Sequence, residues 1–257
     1  MAAVVGGEAE CGINVGFDLH YYVTGTKHYL REGPHRRLQL VGAVLPSMVA
    51  MYVRNASHVQ SIEDLKGLRV PGRFNAQPAI GVMYDTYLDV AGLTRQDVKT
   101  IPSQSIVQAA DDFAASRNDA FLFSVGTAKV LEVDNSVGGI RAISMPDTPQ
   151  SRALLDRNMP GAYPTLLQPS ARLRQVVKPT NVLTTDLVLF CNENVSSDVV
   201  YKIARAMFEN KELLADFKST QVSWPDYMPL ELPGVTMHPG AVRYLKTVGR
   251  WPPRPRK

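Results

Sequence analysis

The sequence predicts an α/β fold with a mostly parallel sheet. Strand-like apolar runs and amphipathic helical segments alternate along nearly the whole chain, as in proteins that pack helices on a parallel sheet. The run LQLVGAVL is continuously apolar, which is typical of a strand buried on both faces. With 257 residues, the chain is long enough for one large domain or two smaller ones, each with its own core.

The first part of the chain predicts four strands and three helical segments. CGINV precedes a short helix that ends at Gly25, and LQLVGAVL and MVAMYVRN form two separate strands. In SIEDLKG, Ser61 is the predicted N-cap, Asp64 reaches back to a free backbone N–H, and Gly67 ends the turn in a left-handed conformation. The helix AIGVMYDTYLDVAGL follows the short strand LRV and closes at Gly92.

Strand and helix pairs continue to the end of the chain. The strands VKTIPS and AFLFSVG lead into the helices SIVQAADDFAASRND and TAKVLEVDN, and IRAISM is the next strand. Residues 146–181 are rich in Pro and polar residues, which predicts a loop with Tyr163 at its middle. NVLTTDLVLFCN is a long strand, SSDVVYKIARAMFENKELLADF is a helix capped by Ser196 or Ser197, and HPGAVRYLKTVG is a short helix.

Composition and motifs argue against several classes of function. The net charge is +4, and no basic patch with interleaved aromatics predicts nucleic-acid binding. No apolar run approaches the roughly 20 residues that span a bilayer. The sequence contains no nucleophile elbow, zinc-binding spacing or P-loop, so we expect neither an enzyme nor a cofactor. His238 is expected to be structural, and the adjacent Asp111 and Asp112 are expected to form a solvated face.

The two cysteines and the first residues bear on the compartment. Cys11 and Cys191 both lie in apolar runs, which favours two buried thiols over a disulfide. The start of the chain has no basic region and carries Glu8 and Glu10, unlike a signal peptide. Two interpretations follow: a cytoplasmic protein if Met1 is the true start, or a chain that has lost its natural beginning.

The loops that follow strands are the candidate ligand-binding segments. In α/β sheets, ligands lie beyond the carboxyl ends of strands, where the next helix begins with unpaired N–H groups. In the loop after LRV, glycine allows close backbone approach, the amides donate and accept, and arginine pairs with a carboxylate. The predicted site residues of this loop are Gly72, Arg73, Phe74, Asn75 and Gln77. The alternative is an ordinary solvent-facing connection.

Other candidates follow three further segments. Phe123 and Ser124 end the strand AFLF, where an apolar wall and a hydroxyl would line a cleft, or are simply part of the core. Asn14 and Asp18 follow CGINV, and Asp18 is alternatively a helix cap. Tyr163 would close over the pocket from its loop, or serve as a packing anchor.

Several segments together resemble a known family. SIEDLKGLRV resembles the hinge-following signature of type II periplasmic binding proteins. HPGAVRYLKTVG, DVVYKIARAMFEN, AGLTRQDVK and GEAECGI resemble the TAXI family of TRAP-transporter solute receptors, in the right order from about residue 5 to residue 249. Two features depart from the family: its usual first strand and Gly-rich loop are missing, and RFNAQP replaces a loop of Ser-Gly-Thr character.

The resemblance implies two lobes joined by two crossover strands, with a ligand clamped between them. Lobe one would hold residues 1–50 and 187–257, and lobe two residues 51–186. It implies a monomeric periplasmic receptor that captures a small organic anion, a carboxylate or amino acid, for TRAP membrane subunits. The alternatives are a cytoplasmic sensor or enzyme on the same fold, and a truncated product without a working pocket.

Overall fold

The computed structural model describes residues 1–210 and 228–253, and these divide between two compact units. Unit 1 comprises Met1–Ser47 and Thr185–Lys257, and unit 2 comprises Met48–Thr184. Two long strands, β2 (Leu38–Arg54) and β8 (Thr180–Asn192), each contribute residues to both units. The last part of the helix predicted at residues 196–217, from residue 211 onward, lies outside the described residues.

Unit 1 is built from both ends of the chain. The helices α7 (Ser197–Glu209) and α8 (Pro239–Thr247) pack together because Gly240 has no side chain: a Cβ there would lie 2.3 Å from the Ser197 carbonyl oxygen. Val200 and Tyr244 place the two helices in one apolar core with the unit 1 part of β2. The other elements are α1 (Ala2–Gly6), β1 (Cys11–Val15), α2 (Gly16–Thr24) and a 3-10 turn at Lys27–Tyr29.

Unit 2 contains strand–helix pairs around an aromatic core. Phe121 packs against Tyr52 and Phe113, with ring centroids 5.2 and 4.6 Å apart. A 3-10 turn at Glu63–Leu65 precedes the first pair. The remaining elements are β3 (Arg69–Gly72), α3 (Pro78–Asp89), β4 (Lys99–Pro102), α4 (Ile106–Ala114), β5 (Phe121–Ser124), α5 (Ala128–Ser136), β6 (Ile140–Ile143), α6 (Pro149–Asn158) and β7 (Tyr163–Leu167).

The prediction of mostly parallel sheets is wrong for the strand registers that the described residues establish. β3 and β4 pair in parallel, but β1 and β7 each pair antiparallel with β8, and β5 and β6 pair antiparallel with β2. The physical reason lies in the two long strands. Their neighbours run in the opposite direction beside them, which strand–helix alternation in the sequence does not reveal.

Tyr87 of α3 joins the two long strands within unit 2. Its hydroxyl donates to the Val49 carbonyl oxygen of β2 at 2.6 Å and accepts from the Leu183 N–H of β8 at 3.1 Å. The side chain is fully buried. The hydroxyl therefore satisfies one backbone group of each strand, in an interior where an unpaired group is costly.

Three local predictions need correction. LQLVGAVL and MVAMYVRN form one continuous strand, β2, that passes through Pro46 and Ser47. Ser61 is not an N-cap, because the 3-10 turn begins two residues later, although Asp64 does accept from the Ser61 N–H at 3.0 Å. The region 146–181 contains α6 and β7 instead of a loop, and Tyr163 therefore begins a strand.

The two cysteines form a disulfide, so the expectation of two buried thiols is wrong. Cys11 of β1 and Cys191 of β8 are direct partners in the antiparallel register, with Cα atoms 3.9 Å apart. Sequence separation hid this proximity, since the two cysteines are 180 positions apart in the chain. The bond ties together the two chain segments from which unit 1 is built.

Candidate functional site

The loop 73–77 of unit 2 starts at the carboxyl ends of two parallel strands. Gly72 of β3 pairs with Pro102 of β4, and Ser103 N–H donates to the Gly72 carbonyl oxygen at 2.9 Å. Directly after Gly72, Arg73 takes a left-handed conformation with φ +57°, which is unfavourable for a residue with a side chain. The loop therefore turns away sharply from the end of β3.

Two predicted residues of this region are held by packing. A Cβ at Gly72 would lie 2.5 Å from Thr100 Cγ2 and 2.9 Å from an Arg95 guanidinium nitrogen, so contacts within unit 2 account for the glycine. The Phe74 ring is buried and stacks on Tyr84 of α3, with centroids 5.2 Å apart. Phe74 therefore anchors the middle of the loop to α3.

The polar residues of the loop differ in their partners. Gln77 Oε1 accepts from the Ile106 N–H at 2.9 Å and so connects the loop to the first turn of α4. Arg73 and Asn75 are exposed, and their side chains have no hydrogen-bond or ion-pair partner within residues 1–210 and 228–253. One guanidinium and one amide are thus left available at the start of α3.

Tyr84 also links this loop to the second predicted segment. Its hydroxyl accepts from the Leu122 N–H of β5 at 2.7 Å, while its ring stacks on Phe74. Phe123 and Ser124, the last residues of β5, are partly exposed, and Phe123 packs against the aromatic core. The ring of Tyr84 thus contacts the loop after β3, and its hydroxyl contacts β5, so that one side chain connects the two predicted segments.

In unit 1, Asp18 is the centre of a hydrogen-bonded cluster. One carboxylate oxygen lies 2.8 Å from His28 Nε2, and the other accepts from Asn14 Nδ2 at 2.9 Å and from the Tyr29 hydroxyl at 3.2 Å. Asn14 Oδ1 in turn accepts from the Val15 N–H at 2.8 Å. The structure thus brings Asn14 and Asp18 together, but as partners of each other.

Two tyrosines beside Asp18 have raised pKa values. Burial, then the Asp18 carboxylate, raises the pKa of Tyr21 to about 12, and the same causes raise the pKa of Tyr29. Both phenols are therefore protonated at neutral pH, and Tyr29 serves as a donor. Sequence reasoning missed His28 and Tyr29, because nothing in their spacing indicates that the chain turns back on α2 after Gly25.

The remaining candidates lie outside these groups. Tyr163 begins β7 and pairs with Thr184 of β8. His238 is structural, as predicted: its Nδ1 accepts from the Gly240 N–H, and its Nε2 lies 3.0 Å from the Val195 carbonyl oxygen. Asp111 is exposed and pairs with Lys129, whereas Asp112 is buried and pairs with Arg117, so the prediction of a solvated face is wrong for Asp112.

Helix capping distinguishes the predicted ligand segments from other helix starts. Side chains cap α4, α6, α7 and α8. In the described part of the chain, no side chain caps the first turn of α2, α3 or α5, the helices that follow the predicted segments; the short α1 also lacks a cap. An uncapped first turn leaves N–H groups that favour an anion.

The described residues contain neither a cluster of metal-ligating side chains nor a membrane-spanning helix. Across residues 1–210 and 228–253, His, Cys, Asp and Glu side chains form no group of three or more suited to a metal ion. Over the same ranges, no helix has the length and apolar character that crossing a membrane requires.

Solved structures with the same architecture define the class of fold. The periplasmic aliphatic sulphonate binding protein SsuA of Escherichia coli matches with a TM-score of 0.53 and 14% identity, over 95% of this chain and 64% of that one. A periplasmic sulfonate-binding protein SsuA of Methylobacillus flagellatus KT matches with a TM-score of 0.52 and 18% identity, over 96% and 70%. The chain thus has an α/β periplasmic binding protein-like fold and spans less than two thirds of the Escherichia coli protein.

The family assignment is more specific than the fold. The model of the NMT1-like family matches residues 1–249, nearly the whole chain. The protein therefore belongs to the NMT1-like family. A further structure, described as a periplasmic transporter, matches with a TM-score of 0.51 and 13% identity, over 93% of this chain and 73% of that one.

Proposed function

We propose that the protein is an extracytoplasmic solute-binding component of a TRAP-type transporter, of the TAXI kind, and that it captures a small carboxylate or amino acid. The observation that carries the proposal is the start of α3. There the unpaired Arg73 and Asn75 lie at an uncapped helix terminus, which together favour a negatively charged group. The family and the fold support a binding protein over an enzyme.

The disulfide supports the proposed compartment. Cys11 and Cys191 are bonded to each other, and disulfides persist in oxidising compartments such as the periplasm but are rare in the cytosol. This favours a periplasmic receptor over the cytoplasmic alternative. Capture by such a receptor involves no chemical step. The free energy of binding shifts the population of the receptor toward a closed form.

The test is titration of the purified protein with L-amino acids, small monocarboxylates and dicarboxylates, followed by melting temperature and calorimetry. At least one of these anions should raise the melting temperature, since a ligand that binds only the folded state stabilises it. If none of them does so, the proposal is overturned.

Arg73→Gly tests the role of Arg73 with two readouts. Glycine accepts the positive φ of residue 73, so the variant should be at least as stable as the wild type. It should bind the confirmed anion about tenfold or more weakly, because the guanidinium is lost. Arg205→Ala is the matched control, since Arg205 is an exposed arginine that pairs with Glu209. Unchanged affinity in Arg73→Gly would remove Arg73 from the site.

A further inference from the structure

Ser103 has a buried hydroxyl with no partner. The residue is 2% exposed, and its Oγ makes no hydrogen bond to any of the described residues. A buried polar group without a partner destabilises the folded state. Such a group calls for an explanation, and binding of a ligand is one that the position of Ser103 supports.

Ser103 lies where the two predicted ligand-facing strands end. It follows Pro102, the register partner of Gly72, and its own N–H is bonded to the Gly72 carbonyl oxygen. Ser103 thus lies beside the last residue of β3, directly before the turn at Arg73. Three residues further on, the Ile106 N–H is held by Gln77 Oε1 at the far end of the loop. The segment 103–106 is therefore bonded to the residue before loop 73–77 and to the last residue of that loop.

The polar groups that follow the ends of β3 and β4 are hydrogen-bond donors, which suit a ligand that accepts hydrogen bonds. Arg73 and Asn75 are exposed and unpaired in the described part of the chain, and the first turn of α3 has no side-chain cap. The segments 72–78 and 103–106 contain no Asp or Glu. In the first turn of α3, Pro78 has no N–H and the Ile80 N–H is bonded to the Gln77 carbonyl oxygen, so the donors are a guanidinium, an amide and a hydroxyl, from which a carboxylate accepts.

We propose that Ser103 binds the solute directly and that its hydroxyl donates a hydrogen bond to a carboxylate oxygen of the ligand. This inference rests on the proposed function and adds a residue that the loop motif does not contain. Because the hydroxyl is covered in this conformation, the proposal requires loop 73–77 to shift before a ligand reaches it.

The experiment compares Ser103→Ala with the wild type in the same panel of L-amino acids, monocarboxylates and dicarboxylates, by calorimetry and by melting temperature without ligand. The variant should lose about tenfold or more in affinity for each anion that the wild type binds, as expected when a charged acceptor loses a donor. Its ligand-free melting temperature should be unchanged or higher, because no hydrogen bond in the protein is removed.

Two further variants make the result specific. Ser103→Cys keeps the size of the side chain with a weaker donor and should fall between the wild type and Ser103→Ala; it also serves if Ser103→Ala does not fold. Thr86→Ala is the control. Thr86 is buried in the same unit and its hydroxyl is already bonded to the Val82 carbonyl oxygen, so the variant should be less stable but bind normally.

The outcomes separate this inference from the proposed function. If the wild type binds an anion and Ser103→Ala binds it within twofold, Ser103 is a structural residue and the inference is overturned, while the receptor proposal stands. If the wild type binds none of the anions, both proposals are overturned.

Discussion

At residue 18, a carboxylate is buried with both of its oxygens occupied. Asn14, His28 and Tyr29 all bond to it, and His28 is the one basic side chain that contacts it among the described residues. In Asp18→Asn, an amide nitrogen replaces one of these acceptors and faces donors. We therefore expect a loss of about 2–4 kcal/mol in the free energy of unfolding, measured by urea denaturation.

The control for this prediction is Asp111→Asn. Asp111 is also an aspartate in an ion pair, with Lys129, but its side chain is 57% exposed. Exposed pairs contribute about 0–1 kcal/mol, so this variant should remain within that range of the wild type. Equal losses in the two variants would show that the burial of Asp18 does not determine its contribution to stability.

His238 gives the protein a predicted dependence on pH. Burial lowers its pKa below the ordinary value of 6.5, and the contact with the Val195 carbonyl oxygen opposes this only in part. The unfolded chain therefore takes up a proton at a higher pH than the folded chain does. By linkage, the free energy of unfolding falls as the pH is lowered from 7 through 6.5 toward 5.

His238→Asn isolates this contribution. Asparagine retains the capping of α8 but does not titrate, so the variant should lose less stability than the wild type between pH 7 and pH 5. The measurement is urea denaturation across that range. His58→Asn, at an exposed position, is the control and should retain the wild-type dependence. Parallel curves for the wild type and His238→Asn would contradict the assignment.

At the scale of single residues, sequence reasoning located the candidate loop but not the contacts that its side chains make. Strand–helix spacing placed Arg73 and Asn75 at the start of α3, because that boundary follows from local pattern. It could not show that Phe74 stacks on Tyr84 or that Ser103 lacks a partner. Those facts depend on contacts between segments that are distant in the sequence.

At the scale of elements, α3 connects the candidate loop to the two long strands. The helix begins directly after loop 73–77, and near its other end Tyr87 is bonded to β2 and β8. Tyr87→Phe would leave a buried carbonyl oxygen and a buried N–H unpaired. We expect a loss of about 2–4 kcal/mol in the free energy of unfolding, with little change in side-chain volume.

Tyr201→Phe is the matched control for Tyr87→Phe. Tyr201 is partly exposed on α7, and its hydroxyl has no hydrogen-bond partner in the ranges that the structure describes. Its removal should change stability by less than about 0.5 kcal/mol. The measurement is urea denaturation of both variants and the wild type. A Tyr87→Phe curve that overlays the wild-type curve would show that the hydroxyl does not contribute to stability.

Elements were predictable where a periodic pattern is strong. The helices α3, α4 and α7 and the apolar β8 follow from spacing and caps. Prolines concealed α6 and β7: Pro149 occupies the first turn of α6, and Pro164 lies in β7, which the described registers pair with β8 alone. Proline is tolerated at both kinds of position, so its presence did not exclude regular structure.

At the scale of the whole molecule, the disulfide links two residues that flank unit 2 in the sequence. Cys11 and Cys191 connect the two segments of unit 1, and all of unit 2 lies between them in the sequence. A cross-link over so long a loop restricts the unfolded chain strongly. In Cys11→Ser/Cys191→Ser, we expect the free energy of unfolding to fall by about 2–4 kcal/mol.

The location of that loss is the sharper part of the prediction. Hydrogen exchange should show protection falling first in β1 and the adjoining residues of β8, because these are the strands that the disulfide joins in unit 1. Protection in α3 and α4 of unit 2 should change less. The wild type under reducing conditions should behave like the double variant, and the reductant should not affect the variant itself. A loss of protection of the same size in both units would show that the bond acts through the unfolded chain alone and adds no local stability at β1.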